Sequence, residues 1–496
     1  MSAPVGVGER TAAACDLAAD LAQGTSAAAD VAAIRERLAG PLRVAIAGQV
    51  KAGKSTLLNA LVAERLAPTD AGECTRIVTW YHEGLGYEVR AVDRDRSVHD
   101  LLHTREDGAL QIDLNGFARE DIARLDVAWP SSMLRRLTLI DTPGLASLDD
   151  STSARTREFL AVEDERPSDA DAVIYLLRHL HRRDTDFLEA FMDRSLGDAS
   201  PVNTVAVLSR ADEVGACRLD ALESASRIAV RYRADKRLKA LCLTTVAVAG
   251  LAAETGLTLQ EHEAATLRAV SALSFPEIEG LLLSADRFAR SEVPAVPSEA
   301  RRKVLHRLGM FGVRFAIEEL RTGRAHTASD VSRALVEVSG LRALQRLLDE
   351  HFLPRSRALK ARSALLALRE VARSLERGAP DATGRLEAEL EAIESSAHEF
   401  AELRLVHMVV SGAVKLSADE EDEVRRIVGP GGVTEKLALD KGAGSDAIRA
   451  AALGGVERWR TKAANPVIDR EVCDACEIMA RSYEGIYASV GDEAGE

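Results

Sequence analysis

Residues 48–56 read Gly48-Gln-Val-Lys-Ala-Gly53-Lys54-Ser55-Thr56, a complete G-x-x-x-x-G-K-S phosphate loop. The chemistry this spacing serves is the holding of nucleotide phosphates. Glycines let the backbone curl around anionic oxygens, a lysine reaches the β- and γ-phosphates, a hydroxyl ligates Mg²⁺, and the loop opens onto a helix N-terminus. Gly48, Gly53, Lys54, Ser55 and Thr56 are therefore the expected phosphate-binding residues, with Ser55 on the metal. The element before the loop has to be a buried strand, and Val44-Ala-Ile-Ala47 is apolar throughout. The element after it has to be a helix, and Thr56-Leu-Leu-Asn-Ala-Leu61 has that periodicity.

Two further strand ends carry polar residues that complete the pattern of P-loop GTPases. Leu137-Thr-Leu-Ile-Asp141-Thr-Pro-Gly144 ends in D-x-x-G, where Asp141 is expected to hold Mg²⁺ through a water and the Gly144 amide to touch the γ-phosphate. Thr204-Val-Ala-Val-Leu-Ser209-Arg210-Ala211-Asp212 ends in S-R-A-D where the base-reading motif is Asn/Thr-Lys-x-Asp. Asp212 is placed to accept from guanine N1 and N2, and Arg210 can lay its aliphatic stem and planar head over the base as a lysine would. The departure at Ser209 and Arg210 weakens the guanine signal without removing it. A later run, Val248-Ala249-Gly250, is expected to close the base pocket with backbone groups. GTP is thus the expected substrate and Mg²⁺ the expected metal.

The stretch between Ser55 and Asp141 is much longer than in Ras-sized domains. Within it, Leu66-Ala-Pro-Thr69-Asp-Ala-Gly-Glu-Cys-Thr75-Arg-Ile-Val-Thr-Trp-Tyr81 reads as a loop running into a strand. Thr75 stands directly before the alternating segment and is the preferred switch threonine for Mg²⁺ and the γ-phosphate; Thr69 is the competing choice. Taken together, GKSTLLNAL, PTDAGECT, DTPG and SRAD resemble the bacterial dynamin-like GTPases, in particular the shorter member of the actinobacterial isoniazid-inducible group. The resemblance extends through Arg301–Gly323, Ser339-Gly-Leu-Arg-Ala-Leu and Arg481-Ser-Tyr-Glu-Gly485, covering nearly the whole chain.

That resemblance implies an α/β P-loop GTPase domain plus an all-α helical-bundle neck and trunk. It implies turnover stimulated when GTPase domains meet, by self-association or with a paralogous dynamin-like chain, and action on anionic membrane lipids. No glutamine follows Gly144, since Leu145-Ala146 come next. Lys51 occupies the loop position where dynamin relatives place a polar residue that helps bind a monovalent cation. Its ammonium is a candidate to supply that charge directly; a solvated lysine, or one paired with a switch carboxylate, is the alternative. Lys51, Lys54, Thr75 and Gly144 form the expected catalytic set.

Composition sets the remaining bounds. A chain of 496 residues has room for two or three domains; at 46% hydrophobic but only 4% aromatic it suits long helices. The formal charge of −14 excludes a general DNA binder and argues against a ribosome- or RNA-linked GTPase. A GTP-dependent switch or scaffold working through a partner dynamin-like chain stays open. Six scattered cysteines without a secretory leader point to a cytoplasmic home, and the resemblance implies peripheral association with the inner face of the plasma membrane. Cys473-Asp-Ala-Cys476 lacks a second ligand pair and reads as one helix face. No apolar run reaches the ~18 residues of a membrane span.

The composition shifts divide the chain into an N-terminal neck helix (1–40, weak at Gly24), a GTPase domain (41–290), neck helices (291–353), a trunk (354–466) and a C-terminal neck helix and tail (467–496). Pro294 and Pro297 mark a hinge. The last strand of the sheet is expected at Leu241–Val248. Later helices are expected at 298–324, 328–352, 355–378, 384–412, 417–428, 434–464 and 467–490. The N-terminal helix is expected to pack with 298–350 and the C-terminal helix. A basic helix beginning at Pro354 and the loop Gly429–Val433 are the weak candidates for lipid contact.

Overall fold

The computed structural model describes residues 6–67, 77–106, 109–114, 116–119, 121–142, 169–180, 184–185, 188, 203–375, 380–410, 412–429 and 431–490. Helices α1 (Val7–Ala22) and α2 (Ala28–Ala39) are separated near Gly24, as composition predicts. Strand β1 (Leu42–Gly48) and helix α3 (Lys54–Val62) flank the phosphate loop. The long segment that follows is β-rich: β2 (Thr79–His82), β3 (Glu88–Asp93), β4 (Val98–Asp100), a separate hairpin of β5 (His103–Glu106) with β6 (Ala109–Ile112), and β7 (Ile122–Ala128). Then come β8 (Leu137–Asp141), β9 (Ala172–Leu177), β10 (Thr204–Leu208), α4 (Ala221–Ala234), α5 (Lys236–Leu241) and β11 (Thr244–Ala247). The last strand is shorter than expected because Asp235 accepts from the Arg237 and Leu238 amides and starts a helix through residue 241.

From there the described chain is helical: α6 (Gly250–Thr258), α7 (Glu261–Ser271), α8 (Phe275–Leu282), α9 (Ala285–Arg290), α10 (Ser298–Arg321), α11 (Ala328–Val338), α12 (Leu341–Leu347) with a π-turn at Leu348–Phe352, α13 (Ser356–Leu375), α14 (Pro380–Ser396), α15 (His398–Val410), α16 (Ala418–Ile427), α17 (Val433–Lys436), α18 (Ser445–Ala463) and α19 (Arg470–Ser489). The expected helix 328–352 is broken at Gly340, and 434–464 is interrupted by a segment carrying Gly442 and Gly444.

Among the described residues, nine strands form one sheet in the order β11-β10-β9-β1-β8-β2-β7-β3-β4. The run β11-β10-β9-β1-β8 is parallel, and β2 turns antiparallel to β8. Strand β1 lies between β8 and β9, so the phosphate loop leaves the sheet where Asp141 and Leu177 end its neighbours. That is the kind of crevice at strand carboxyl ends where doubly wound sheets bind ligands.

One sheet face packs under α3, α1, α2, α12, α13 and α14 in a continuous core that includes Leu57, Leu61, Leu344, Phe352 and Leu365. The other face, with Ala45, Tyr175 and Leu208, is covered by α4–α11, including Leu267, Leu308 and Leu335. A third core joins α15, α16, α18 and α19, where Trp459 and Tyr483 both donate to Glu423.

Three packing expectations change. Helix α1 packs on α13 and α14 rather than on 298–350 or the C-terminal helix, while α19 packs on α18 and α15. Within 291–353, expected as neck, α10 and α11 lie against α6 and α7, and α12 lies against α3. The Pro294–Pro297 connection is stitched by buried Arg301, which donates to the carbonyls of Phe288 (2.8 Å) and Ser291.

At the foot of the sheet, buried Asp171 accepts from Arg37 Nε (3.0 Å) and Nη2 (2.6 Å) and from the Arg43 amide (2.9 Å), tying α2 to β1 and β9. Removing one partner of a buried pair leaves an uncompensated charge. Asp171→Ala is expected to destabilise the nucleotide-binding half by about 3–5 kcal/mol, read as a lowered midpoint in urea unfolding.

Candidate nucleotide-binding site

The phosphate loop takes its shape from a close backbone approach. Gly48 pairs with Leu176 of β9 at φ 148°, and a Cβ there would lie 2.5 Å from the Leu176 carbonyl oxygen. Only glycine fits. Lys51 follows in the left-handed region (φ 61°), exposed, and Gly53 (φ 92°) hands the chain to α3. Lys54 donates to the carbonyls of Gly48 and Gln49, both at 3.3 Å. Its pKa is pushed down by burial, with Asp141 opposing.

Ser55 Oγ donates to Asp141 Oδ2 at 2.8 Å, so two of the three residues expected on the metal meet. Burial pushes the Asp141 carboxyl up, with Lys54 and Ser55 opposing, and its Oδ1 is buried without a hydrogen-bond partner. A buried carboxylate oxygen with unused lone pairs beside a hydroxyl is a hard-oxygen donor set, which suits Mg²⁺. Thr142 fixes this strand end by donating from its hydroxyl to Ile46 of β1 (2.9 Å). Thr69, Thr75 and Gly144 lie outside the described residues.

Beside the loop is a cavity of about 240 Å³ that brings together Gly53, Thr56, Ser209, Arg210, Asp212 and Gly250. Asp212 is 6% exposed, and its carboxyl is pushed up to about 6, chiefly by burial. Arg210 lies on the wall with its guanidinium held by Glu213 (2.6 Å). Thr56 and Gly250 touch where α3 and α6 begin: a Cβ on Gly250 would sit 3.3 Å from Thr56 Cγ2. Ala249, also expected at the base, lies just outside the cavity lining. It is fully buried, and its amide donates to the Ser339 carbonyl (2.8 Å) rather than toward the cavity.

Several residues of the site carry no local motif. Gln49 donates to Asp184 Oδ1 (2.9 Å), which also accepts from Tyr175 (2.7 Å), so a fully buried carboxylate steadies the loop from the far side of β9. Arg65, Glu254, His306 and Arg307 line the cavity. Arg307 pairs with Glu263 (3.0 Å) and Glu254 (3.7 Å), and Arg65 with Glu254 (3.4 Å). The one sequence cue for the last two is Gly309 within a helical pattern. It kinks α10 at φ 67°, and a Cβ there would lie 3.7 Å from Asp212 Oδ2.

Residues 44–208 match the dynamin family. The chain is 38% identical over 458 residues to the isoniazid-induced protein IniC of Mycobacterium tuberculosis, covering 92% of each. The chain belongs to the bacterial dynamin-like GTPases, in the isoniazid-induced group. A dynamin-like protein 2 of Campylobacter jejuni is 27% identical over 38% of this chain and 29% of that protein. A solved structure described as an oligomerised bacterial dynamin pair covers 98% of this chain and 74% of its own at 13% identity, with a TM-score of 0.33, too loose a superposition to carry an argument. As a member of this family the chain binds and hydrolyses GTP. Among the described residues no helix is long and apolar enough to cross a membrane.

If Asp212 is the acceptor for guanine N1 and N2 it must be ionised to bind, and its carboxyl, pushed up to about 6 by burial, sets the window. The affinity for GDP should hold above pH 7 and weaken about tenfold per unit below pH 6, as protonation competes with binding. Titration calorimetry across pH 5–8 measures this. Asp212→Asn should abolish that dependence, weaken GDP by roughly 100-fold or more, and favour xanthine nucleotides, whose C2 carbonyl accepts from the new amide.

Proposed function

We infer that this GTPase works on membranes from one side, as a peripheral remodelling factor whose helical half moves with the nucleotide state. The observation that carries this reading is the shared wall: His306 and Arg307 of α10 line the same cavity as Ser209, Arg210 and Asp212. A ligand that fills the cavity changes what those α10 side chains touch, and a ligand shifts a conformational equilibrium only through such differential contacts.

The chemistry proposed at the site follows from its residues. Asp212 reads the base, with Arg210 on one side and the first turn of α6 on the other. Lys54 and the loop amides neutralise the β- and γ-phosphates. Ser55 and Asp141, joined by Thr75, would hold Mg²⁺, which when bound offsets charge on the phosphate oxygens. The Thr75 and Gly144 backbone groups would orient the attacking water. Lys51, exposed at the loop's turn, would supply a cation to the transition state when a second GTPase domain closes over it.

The basic helix is not where lipid contact is sought. Arg355 donates to the carbonyls of Glu350, His351 and Val428, and Lys360 to those of Leu38 and Gly40. Arg369 and Arg373 are paired with Glu394 and Glu370. Arg355, Lys360 and Arg369 knit the bundle together, while Arg373 pairs within its own helix. At the turn between α18 and α19, Val467 is 87% exposed, and that tip is the proposed site of contact with anionic lipid.

GTP hydrolysis measured with liposomes sedimented in the same tubes tests the reading. Wild type is expected to hydrolyse GTP but not ATP and to enter the pellet with anionic vesicles; Val467→Asp should stay in the supernatant and still hydrolyse GTP. Hydrolysis without pelleting of the wild type would replace this reading with a GTP-dependent scaffold that acts through a partner chain. Lys51→Ala should lower kcat by about tenfold or more, and a kcat within twofold of wild type would remove Lys51 from the catalytic set.

A further inference from the structure

Ser339-Gly340 belongs to a motif with no role in phosphate or base chemistry, yet it sits against the base-side loop. The Ser339 carbonyl accepts the Ala249 amide at 2.8 Å, and its hydroxyl accepts from the Leu341 amide (3.2 Å) to start α12. Gly340 follows at φ 80°, with the Ala247 carbonyl oxygen 2.2 Å from where a Cβ would be. Two backbones almost 100 residues apart in sequence are therefore in direct contact at this turn.

The elements on either side reinforce the contact. Gly256 of α6 lies so close to α11 that a Cβ would meet Val336 Cγ2 at 2.9 Å and the Ser332 carbonyl at 3.1 Å. Thr255 Oγ1 donates to the Arg307 carbonyl of α10 at 2.7 Å. On the inner side, the Val248 amide is held by Leu208, and the Val248 carbonyl accepts from Ala211, next to Asp212. The loop 248–250 is thus gripped on one edge by the strand end carrying Asp212 and on the other by the Ser339-Gly340 turn.

We propose that Ser339 and Gly340 are positioning residues for the guanine pocket: the Ser339 carbonyl holds the Ala249 amide, setting the height of the 248–250 loop and leaving the Gly250 amide as the base-facing donor of that loop. The inference rests on the reading of Asp212 as the guanine carboxylate. It assigns to a turn between two helices of the second half of the chain a direct share in base affinity. Phosphate binding and the chemical step do not pass through this contact. Its loss therefore acts on affinity and KM, and kcat at saturation is retained.

Gly340→Ala tests this directly. A side chain at that position must displace either the turn or the β11 end, and GDP affinity and KM for GTP should each worsen by about tenfold or more, with kcat within twofold of wild type. Gly323→Ala is the control: it has the same left-handed conformation (φ 71°) with nothing nearer than His326 at 3.8 Å, and its GDP affinity should not move. A folded Gly340→Ala protein with wild-type GDP affinity overturns the proposal.

If Gly340→Ala does not fold, amide exchange in the wild type decides. The Ala249 amide should exchange slowly with or without GDP. Protection that appears only on adding GDP would give that amide to the nucleotide and end the proposal. Failure of Asp212→Asn to redirect base preference would instead remove the guanine reading on which the inference rests. An Asp212→Asn protein that does prefer xanthine nucleotides, beside an inert Gly340→Ala, rejects this inference alone.

Discussion

In a phosphate loop the backbone amides can face the anion only if the chain turns at once on leaving the strand, and in this protein that requirement is met by pressing β1 against β9. Gly48 has no room for a side chain because the Leu176 carbonyl is already there. The turn that follows uses left-handed geometry at Lys51 and Gly53 before α3 can begin. Everything else at the phosphate end is anchored to that turn. Asp141 ends β8 one strand away and meets Ser55 at the start of α3, while Asp184 steadies Gln49 from the β9 side.

The base end is organised differently. Its inner wall is a strand end and its outer wall is helical, and the two are joined by buried charge. Arg65, at the exit of α3, Glu254 of α6, Arg307 of α10 and Glu263 of α7 form a chain of ion pairs in which each carboxylate is about 5% exposed. Burying such charges costs several kcal/mol per ion before pairing offsets it, so their main effect is to demand one geometry. Arg65 immediately precedes the segment expected to carry the switch threonine, and Arg307 precedes the kink over Asp212 by two residues. The nucleotide's surroundings and the helical half are therefore parts of one polar network.

How far all this could be read from the residues depended on distance along the chain. The phosphate loop, Asp141 and Asp212 are legible because each is a strand end whose chemistry is written within nine residues, and the break near Gly24 is equally local. The helical character of 298–490 also follows from periodicity. What periodicity does not carry is the partner of each face. Helix α12 has the same apolar spacing whether it joins a neck or the P-loop helix, and α1 gives no sign that its cover is α13. The partner of the Ala249 amide escapes a local reading for the same reason. That amide satisfies a carbonyl 90 positions away, and a buried donor takes whatever acceptor the fold brings near. The basic helix at 356–375 is tied in through acceptors, the carbonyls closing α2 among them, that come from remote segments and cannot be read from its own charges.

The packing of α1 has a consequence for how the chain is made. Its apolar face is buried against α13 and α14, which end at residues 375 and 396, and the P-loop helix is covered by α12 at 341–347. At a synthesis rate of about 5–20 residues per second, α1 has only α2 beside it for roughly 20–70 s before α13 is complete. Every described strand has been made by residue 247, while one sheet face and its leading helices still lack α12, α13 and α14. The ordering of translation thus leaves this GTPase core unfinished until well over half the polypeptide has left the ribosome, and the early helices are the part a chaperone would have to shield.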